Sequence, residues 1–184
     1  MKTFLTSLLL AAGFLFQGCE STPTRVASGP IRGETFNFVT PTANRVAEYA
    51  EKRAEINQLI QSAIVTNLTS KGLGYVASDG QVSVGYLLIL GNNVTTGMVS
   101  DYFENRDEAK ALESVAHAAY TSPTNEFSFQ AGTLVIDIRD NRTYKLLSRG
   151  YATRRLLKDP SPEVRASRIQ EVVNEILADV KVEK

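Results

Sequence analysis

The chain of 184 residues has no tryptophan, one cysteine (Cys19) and one histidine (His117), and its 20 Lys and Arg are matched by 20 Asp and Glu. Each shortage closes a class of explanation. A lone cysteine permits no intramolecular disulfide, so the core must hold the fold together. One thiol and one imidazole are too few for a metal centre built on soft ligands, so neither a metal nor a cofactor is expected. His117 falls in an alanine-rich stretch and no Gly-x-Ser-x-Gly elbow occurs, so a nucleophile with its base is not in evidence. At zero formal charge there is no long-range field to gather nucleic acid, and none is expected as a partner. The absence of tryptophan also weakens the case for a sugar-stacking platform.

A long apolar run is missing too. The longest, Phe4 to Phe16, is broken by Thr6, Ser7 and Gly13 and follows a single basic residue, Lys2. A membrane-spanning helix needs ~20 apolar residues. A basic start, a short apolar core and a small residue at the cut site belong instead to a secretory leader. Phe16-Gln17-Gly18-Cys19 resembles the lipobox of bacterial lipoproteins, with Phe16 where that pattern prefers Leu. The resemblance implies residues 1–18 as signal peptide, cleavage before Cys19 and acylation of its sulfur. Acyl chains contribute ~0.8 kcal/mol per buried CH₂, and more than one gives stable anchoring. Glu20 stands where Asp would resemble an inner-membrane retention signal, which points to the periplasmic face of the outer membrane.

Residues 19–32 are rich in Ser, Thr, Pro and Gly and read as a flexible tether. Residues 33–184 then read as a single domain. Phe36 and Phe38 share one side of a first strand that ends at Thr40-Pro41. Ile56, Leu59, Ile60, Ala63, Ile64 and Leu68 form one helical face, closed by Lys71-Gly72. A short strand at 74–77 turns at Ser78-Asp79-Gly80 into a longer one, in which Val82, Val84, Tyr86, Leu88 and Leu90 alternate. Leu87 and Ile89 add apolar groups on its other side, which predicts a central place in the sheet. Residues 91–126 form a partly helical excursion, far longer than a hairpin loop. Strands follow at 132–139 and 145–153, joined by the turn residues Asp140-Asn141-Arg142-Thr143. A last helix begins with Ser161 as cap and Pro162 in its first turn, with Val164, Ile169, Val172, Val173, Ile176, Leu177 and Val180 as its buried stripe. The order predicts an α+β two-layer sandwich: a mainly antiparallel sheet with two amphipathic helices on one face, plus the excursion.

The lipobox, the Phe36-Asn37-Phe38 strand and the helix closing at Ser70-Lys71-Gly72 recur together in one family. So do the run Gly132 to Asp140 and the run Lys145-Leu146-Leu147-Ser148-Arg149-Gly150. The chain resembles the bacterial envelope lipoproteins of domain of unknown function 4136 over about residues 33–180. Tyr144 stands where that family often has a turn glycine, and Ser148 where it often has tryptophan. The resemblance implies periplasmic exposure, a compact α+β domain and no established catalytic activity, and it transfers no site residues.

Candidate chemistry is thin. Asp137 with Asp140, and Asp101 with Glu104, are acidic pairs without a defined cleft, and Asp137 suits pairing with a Lys or Arg of a neighbouring strand. Gly72-Leu73-Gly74 lacks the following helix of a phosphate loop. Arg149, Arg154, Arg155 and Lys158 form a basic group, and Tyr102 and Phe103 lie in the excursion; of these Arg149, Arg154, Arg155, Tyr102 and Phe103 are the candidate ligand or partner contacts. The expected function is non-enzymatic: a lipid-anchored envelope module that binds or scaffolds another envelope protein or a cell-wall component. A carrier of a small lipid or glycan is the first alternative, and a hydrolase of envelope polymers the second. Cys19→Ala is expected to abolish palmitate incorporation and to release the chain from the membrane fraction; a variant that stays bound would refute acyl anchoring.

Overall fold

The computed structural model describes residues 25–39, 50–90, 107, 109–112, 114–115 and 131–183. Its centre is a six-stranded sheet in the order β1-β7-β6-β5-β3-β4. The strands are β1 (Val26–Ala27), β3 (Thr35–Phe38), β4 (Gly74–Tyr75), β5 (Val82–Leu90), β6 (Ala131–Asp140) and β7 (Leu146–Arg155). Two further short strands, β2 (Ile31–Arg32) and β8 (Val182–Glu183), pair in parallel as a separate ribbon. Helices α1 (Ala50–Ser70) and α2 (Pro162–Ile176) cover one face. The fold is therefore α+β with a mainly antiparallel sheet, and no described helix is long and apolar enough to cross a membrane.

β5, β6 and β7 pair antiparallel along their length, and β5 sits inside the sheet with β3 on its other side. The central position read from its two apolar faces is the observed one. The turn at 78–80 does not make the hairpin that the sequence implies, because β3 lies between β4 and β5 and runs parallel to both. Parallel return requires a long crossover, which α1 supplies between β3 and β4. The link from β4 to β5 then presses against β3. A Cβ at Gly80 would lie 2.6 Å from the Asn37 nitrogen and 2.7 Å from the Phe36 carbonyl carbon.

The helix-facing side of the sheet is built from alternating residues. Phe36, Val82, Val84, Leu134, Ile136 and Ile138 pack against Ile60, Ile64 and Leu68 of α1 and Val173 and Ile176 of α2. Each such side chain contributes ~1.5–3 kcal/mol on burial. The two helices run parallel, side by side. Glu55 meets Arg165, Ala63 meets Gln170, Asn67 meets Asn174 and Lys71 meets Ala178, a nearly constant offset along both. α2 lies close over β7 because Gly150 has no side chain: a Cβ there would be 2.7 Å from the Ile176 carbonyl oxygen. Ser161 caps α2 through the Val164 N–H and Pro162 follows in the first turn, as read from the sequence. Val164 is not part of the buried stripe and stands exposed. It lies five residues before Ile169, and at 3.6 residues per turn that puts it on a different side of the helix.

One expectation needs correction, and one gains a detail. Residues 26–32, read as tether, are part of the fold. β1 pairs with β7, and Ile31 is buried with its N–H donating to the Lys181 carbonyl at 2.8 Å. Pairing of short segments leaves little signature in composition. The sheet's second face is also not bare. The described part of the excursion is helical at 109–112, and Ala109 and Leu112 pack on Ile89 and Val135, flanked by Leu87 and Tyr151. The two-layer description thus holds on the α1 and α2 side, with a partial third layer opposite.

The β6–β7 turn carries a local strain. The Asp140 carboxylate accepts hydrogen bonds from the Thr143 N–H, the Thr143 hydroxyl and the Arg142 N–H, which hold its pKa below the ordinary carboxylate value. The chain then closes through Tyr144, whose φ of +59° is left-handed and whose side chain is exposed. An L side chain in that conformation costs ~1–2 kcal/mol. Tyr144→Gly is expected to raise the unfolding free energy by about 1 kcal/mol in urea, net of glycine's greater unfolded-state entropy; a loss of stability would show that the tyrosine ring compensates for its backbone.

Candidate functional site

Both long helices begin at the same end of the sheet, where β5 and β7 finish and β6 starts. Among the described residues the layers do not close there. A cavity of about 490 Å³ opens between them, within the ~300–1,000 Å³ of small-molecule sites. Its floor is apolar: Ile56 and Ile60 come from α1, Leu88 and Leu134 from the sheet, Ile169 and Val172 from α2. The helical and strand periodicities that fill the core elsewhere place these residues, but here the facing side chains leave a gap.

The rim is charged. Arg154 and Arg155 end β7, Arg165 and Arg168 sit three apart on the first turns of α2, and Glu55 and Asp159 supply the opposite sign. Leu156 and Leu157, both exposed, lie between the two arginine pairs along the chain. Arg165 donates to Glu55 at 2.6 Å and Arg154 to Glu175, all four groups in contact with solvent. Arg168 donates to the Arg155 carbonyl at 2.9 Å, a contact that leaves its charge in place. Exposed pairs of this kind are worth ~0–1 kcal/mol, so an incoming anion can exchange with them at little cost. Glu163, at the start of α2, is held below the ordinary carboxylate pKa by its own backbone N–H and the Ser161 hydroxyl.

A second polar feature lies on the opposite face of the sheet. Asp137 and Arg149 are direct cross-strand partners, 2% and 5% exposed. Arg149 donates from Nε to Oδ1 at 2.8 Å and from Nη2 to Oδ2 at 2.6 Å, a two-pronged geometry that fixes both groups. Arg139 adds a third charge, 3.7 Å from Asp137 Oδ2. Beside this cluster, the Thr133 and Thr153 hydroxyls bond to each other at 2.8 Å. Among the described residues, no group of three His, Cys, Asp or Glu is placed to hold a metal.

The sequence profile of DUF4136, a domain of unknown function, matches residues 31–179. The chain belongs to this family. No curated protein matches this DUF4136 chain. Among solved structures, the PelC dodecamer from Paraburkholderia phytofirmans is similar at a TM-score of 0.49 and 7% identity, covering 88% of this chain and 97% of its own. A PelC variant from the same organism gives 0.48 and 8% over the same shares. A PDZ domain protein from Parabacteroides distasonis gives 0.42 and 16%, over 78% of this chain and 32% of its own.

The residues singled out from the DUF4136 sequence separate in space. Arg154 lies on the helix-facing side at the cavity rim, which Arg155 reaches with its carbonyl, whereas Arg149 is buried on the other face with Asp137. Arg149 is thus not an outward contact: the period of two along β7 turns it away from Arg154, and the carboxylate across the strand occupies its guanidinium. The pairing of Asp137 with a basic residue of a neighbouring strand is as read. Cys19, Tyr102, Phe103, Asp101, Glu104 and His117 lie outside the described residues. Missed altogether were Arg165 and Arg168. Their three-residue spacing on a helix preceded by Arg154-Arg155 was legible, but only the fold brings the two pairs to one rim.

Removing one member of a buried ion pair strands the other charge and costs ~3–5 kcal/mol, while replacing both with apolar residues costs far less. Asp137→Ala is expected to lower the unfolding free energy by about that amount, and Asp137→Leu with Arg149→Met to recover most of it. Chemical denaturation of the two variants checks this; equal losses would show that the pair itself, not the stranded charge, sustains the fold.

Proposed function

We propose that this DUF4136 chain is a non-catalytic binding module of the bacterial cell envelope, held at the membrane by acyl groups on Cys19, that receives a small ligand in the cavity between sheet and helices. The observation that carries the reading is the cavity itself: about 490 Å³ with an apolar floor. A purely structural role gives no reason to leave that floor facing solvent, since burying apolar surface contributes ~25 cal/mol per Å². The lipobox at 16–19 supports the membrane location, on the periplasmic face of the outer membrane.

Contact with a second envelope component belongs to the same reading. Ala109 and Leu112 turn toward the sheet, while Asp107, Lys110 and Ser114 are exposed on the other side of that helical stretch. This described stretch therefore combines an inner packing side with an outer polar side that is open to a partner.

The ligand is testable without knowing its identity. Protein extracted gently from its own membrane is expected to show, by native mass spectrometry, a mass beyond that of the acylated chain that is lost on denaturation in organic solvent. A spectrum holding only the acylated chain, at every extraction condition that preserves the fold, would refute the binding role.

A further inference from the structure

We infer that the occupant of the cavity is an acyl lipid with an anionic headgroup, taken from the same membrane that anchors the chain; the inference rests on the tethered binding module proposed above. Three independent features of the structure converge on it.

The first is the division of chemistry. The floor offers only hydrocarbon to whatever enters, through residues such as Ile60, Leu134 and Ile169. The rim offers four arginines, with Glu55 and Asp159 beside them and Glu175 paired to Arg154. A ligand that satisfies both must carry an apolar tail and a negative head. A neutral glycan would leave the floor without a partner, and a free anion would leave it empty.

The second is the helix arrangement. α2 presents its first turns, with Arg165 and Arg168, at the cavity end. The positive end of that helix adds to the arginine charge and favours a phosphate or carboxylate at the mouth.

The third is direction. β1 runs antiparallel to β7 with Val26 opposite Arg149, and Arg25, one residue earlier, donates to the Tyr151 carbonyl at 2.7 Å. The chain therefore enters the fold from the Arg154–Arg155 end of β7, the end that holds the cavity. Cys19 precedes Arg25 by six residues, a span of at most ~20 Å. An acyl group on Cys19 thus keeps the cavity end within reach of the bilayer, where a lipid can pass its tail into the cavity without crossing bulk water.

The absence of tryptophan provides the probe. Leu157→Trp places one indole at the exposed mouth. The full acylated chain carrying it is reconstituted in phosphatidylcholine vesicles doped with brominated phosphatidylglycerol or, at the same mole fraction, brominated phosphatidylcholine. Bromine quenches the indole only at close range. Quenching is expected to be several-fold stronger with phosphatidylglycerol, and adding Arg154→Ala and Arg168→Ala is expected to weaken that preference about tenfold while leaving the thermal unfolding midpoint within a few degrees. Equal quenching by the two lipids would overturn headgroup recognition. No quenching by either would overturn lipid occupancy, while Cys19 acylation and a non-lipid mass in native spectra would leave the binding module standing. Headgroup-dependent quenching by a chain recovered without acyl groups would do the reverse: it would uphold the lipid site and remove the anchor. Should the double arginine variant unfold, Arg154→Gln alone, at an exposed rim position outside the core, is read in its place.

Discussion

The middle of this fold is a strand that cannot face water on either side. Residues 131–138 of β6 are all buried, so both faces of the sheet must be covered. On one side Leu134, Ile136 and Ile138 need α1 and α2. On the other Val135 needs Ala109 and Leu112, and Asp137 needs Arg149. Much of the architecture follows from that double requirement. The excursion, which by length alone looks like an appendage, supplies part of the second cover and cannot be removed without exposing apolar surface.

The buried Asp137–Arg149 pair belongs to the same constraint. A charged group at the centre of a sheet is tolerated only with its partner held in register. Here the register is set by nine consecutive pairings of β5 with β6 and by the long ladder of β6 with β7. A shift by one residue would turn Asp137 toward Ile64 and Leu68 and send Ile136 and Ile138 to the other face. The pair therefore works against misregistration of the hairpin whatever its net contribution to stability.

Against that closely specified centre, the open end is a contrast. α2 approaches the sheet closely at Ile176 and Gly150, where the missing side chain lets the backbones meet, while the cavity lies at the other end of that helix, by Arg165. Its charge comes from two elements consecutive in sequence, the end of β7 and the start of α2, joined by the short link through Leu156 to Pro160.

Much of this was legible from residue order alone. Period-two alternation marked β5 and β6, the 3.6-residue stripe marked α1, and the Ser161-Pro162 cap marked the start of α2, because each reports a local geometry that the chain itself must satisfy. The family was legible for the same reason, since its motifs lie on these elements. Partners in space were not. The place of β3 between β4 and β5, the recruitment of residues 26–32 and the burial of Arg149 beneath its carboxylate all depend on which surfaces meet, and periodicity carries no record of that. The cavity is the clearest case: it consists of volume between described side chains, so no residue in the sequence stands for it, and only the packing of helices against sheet could decide that it exists.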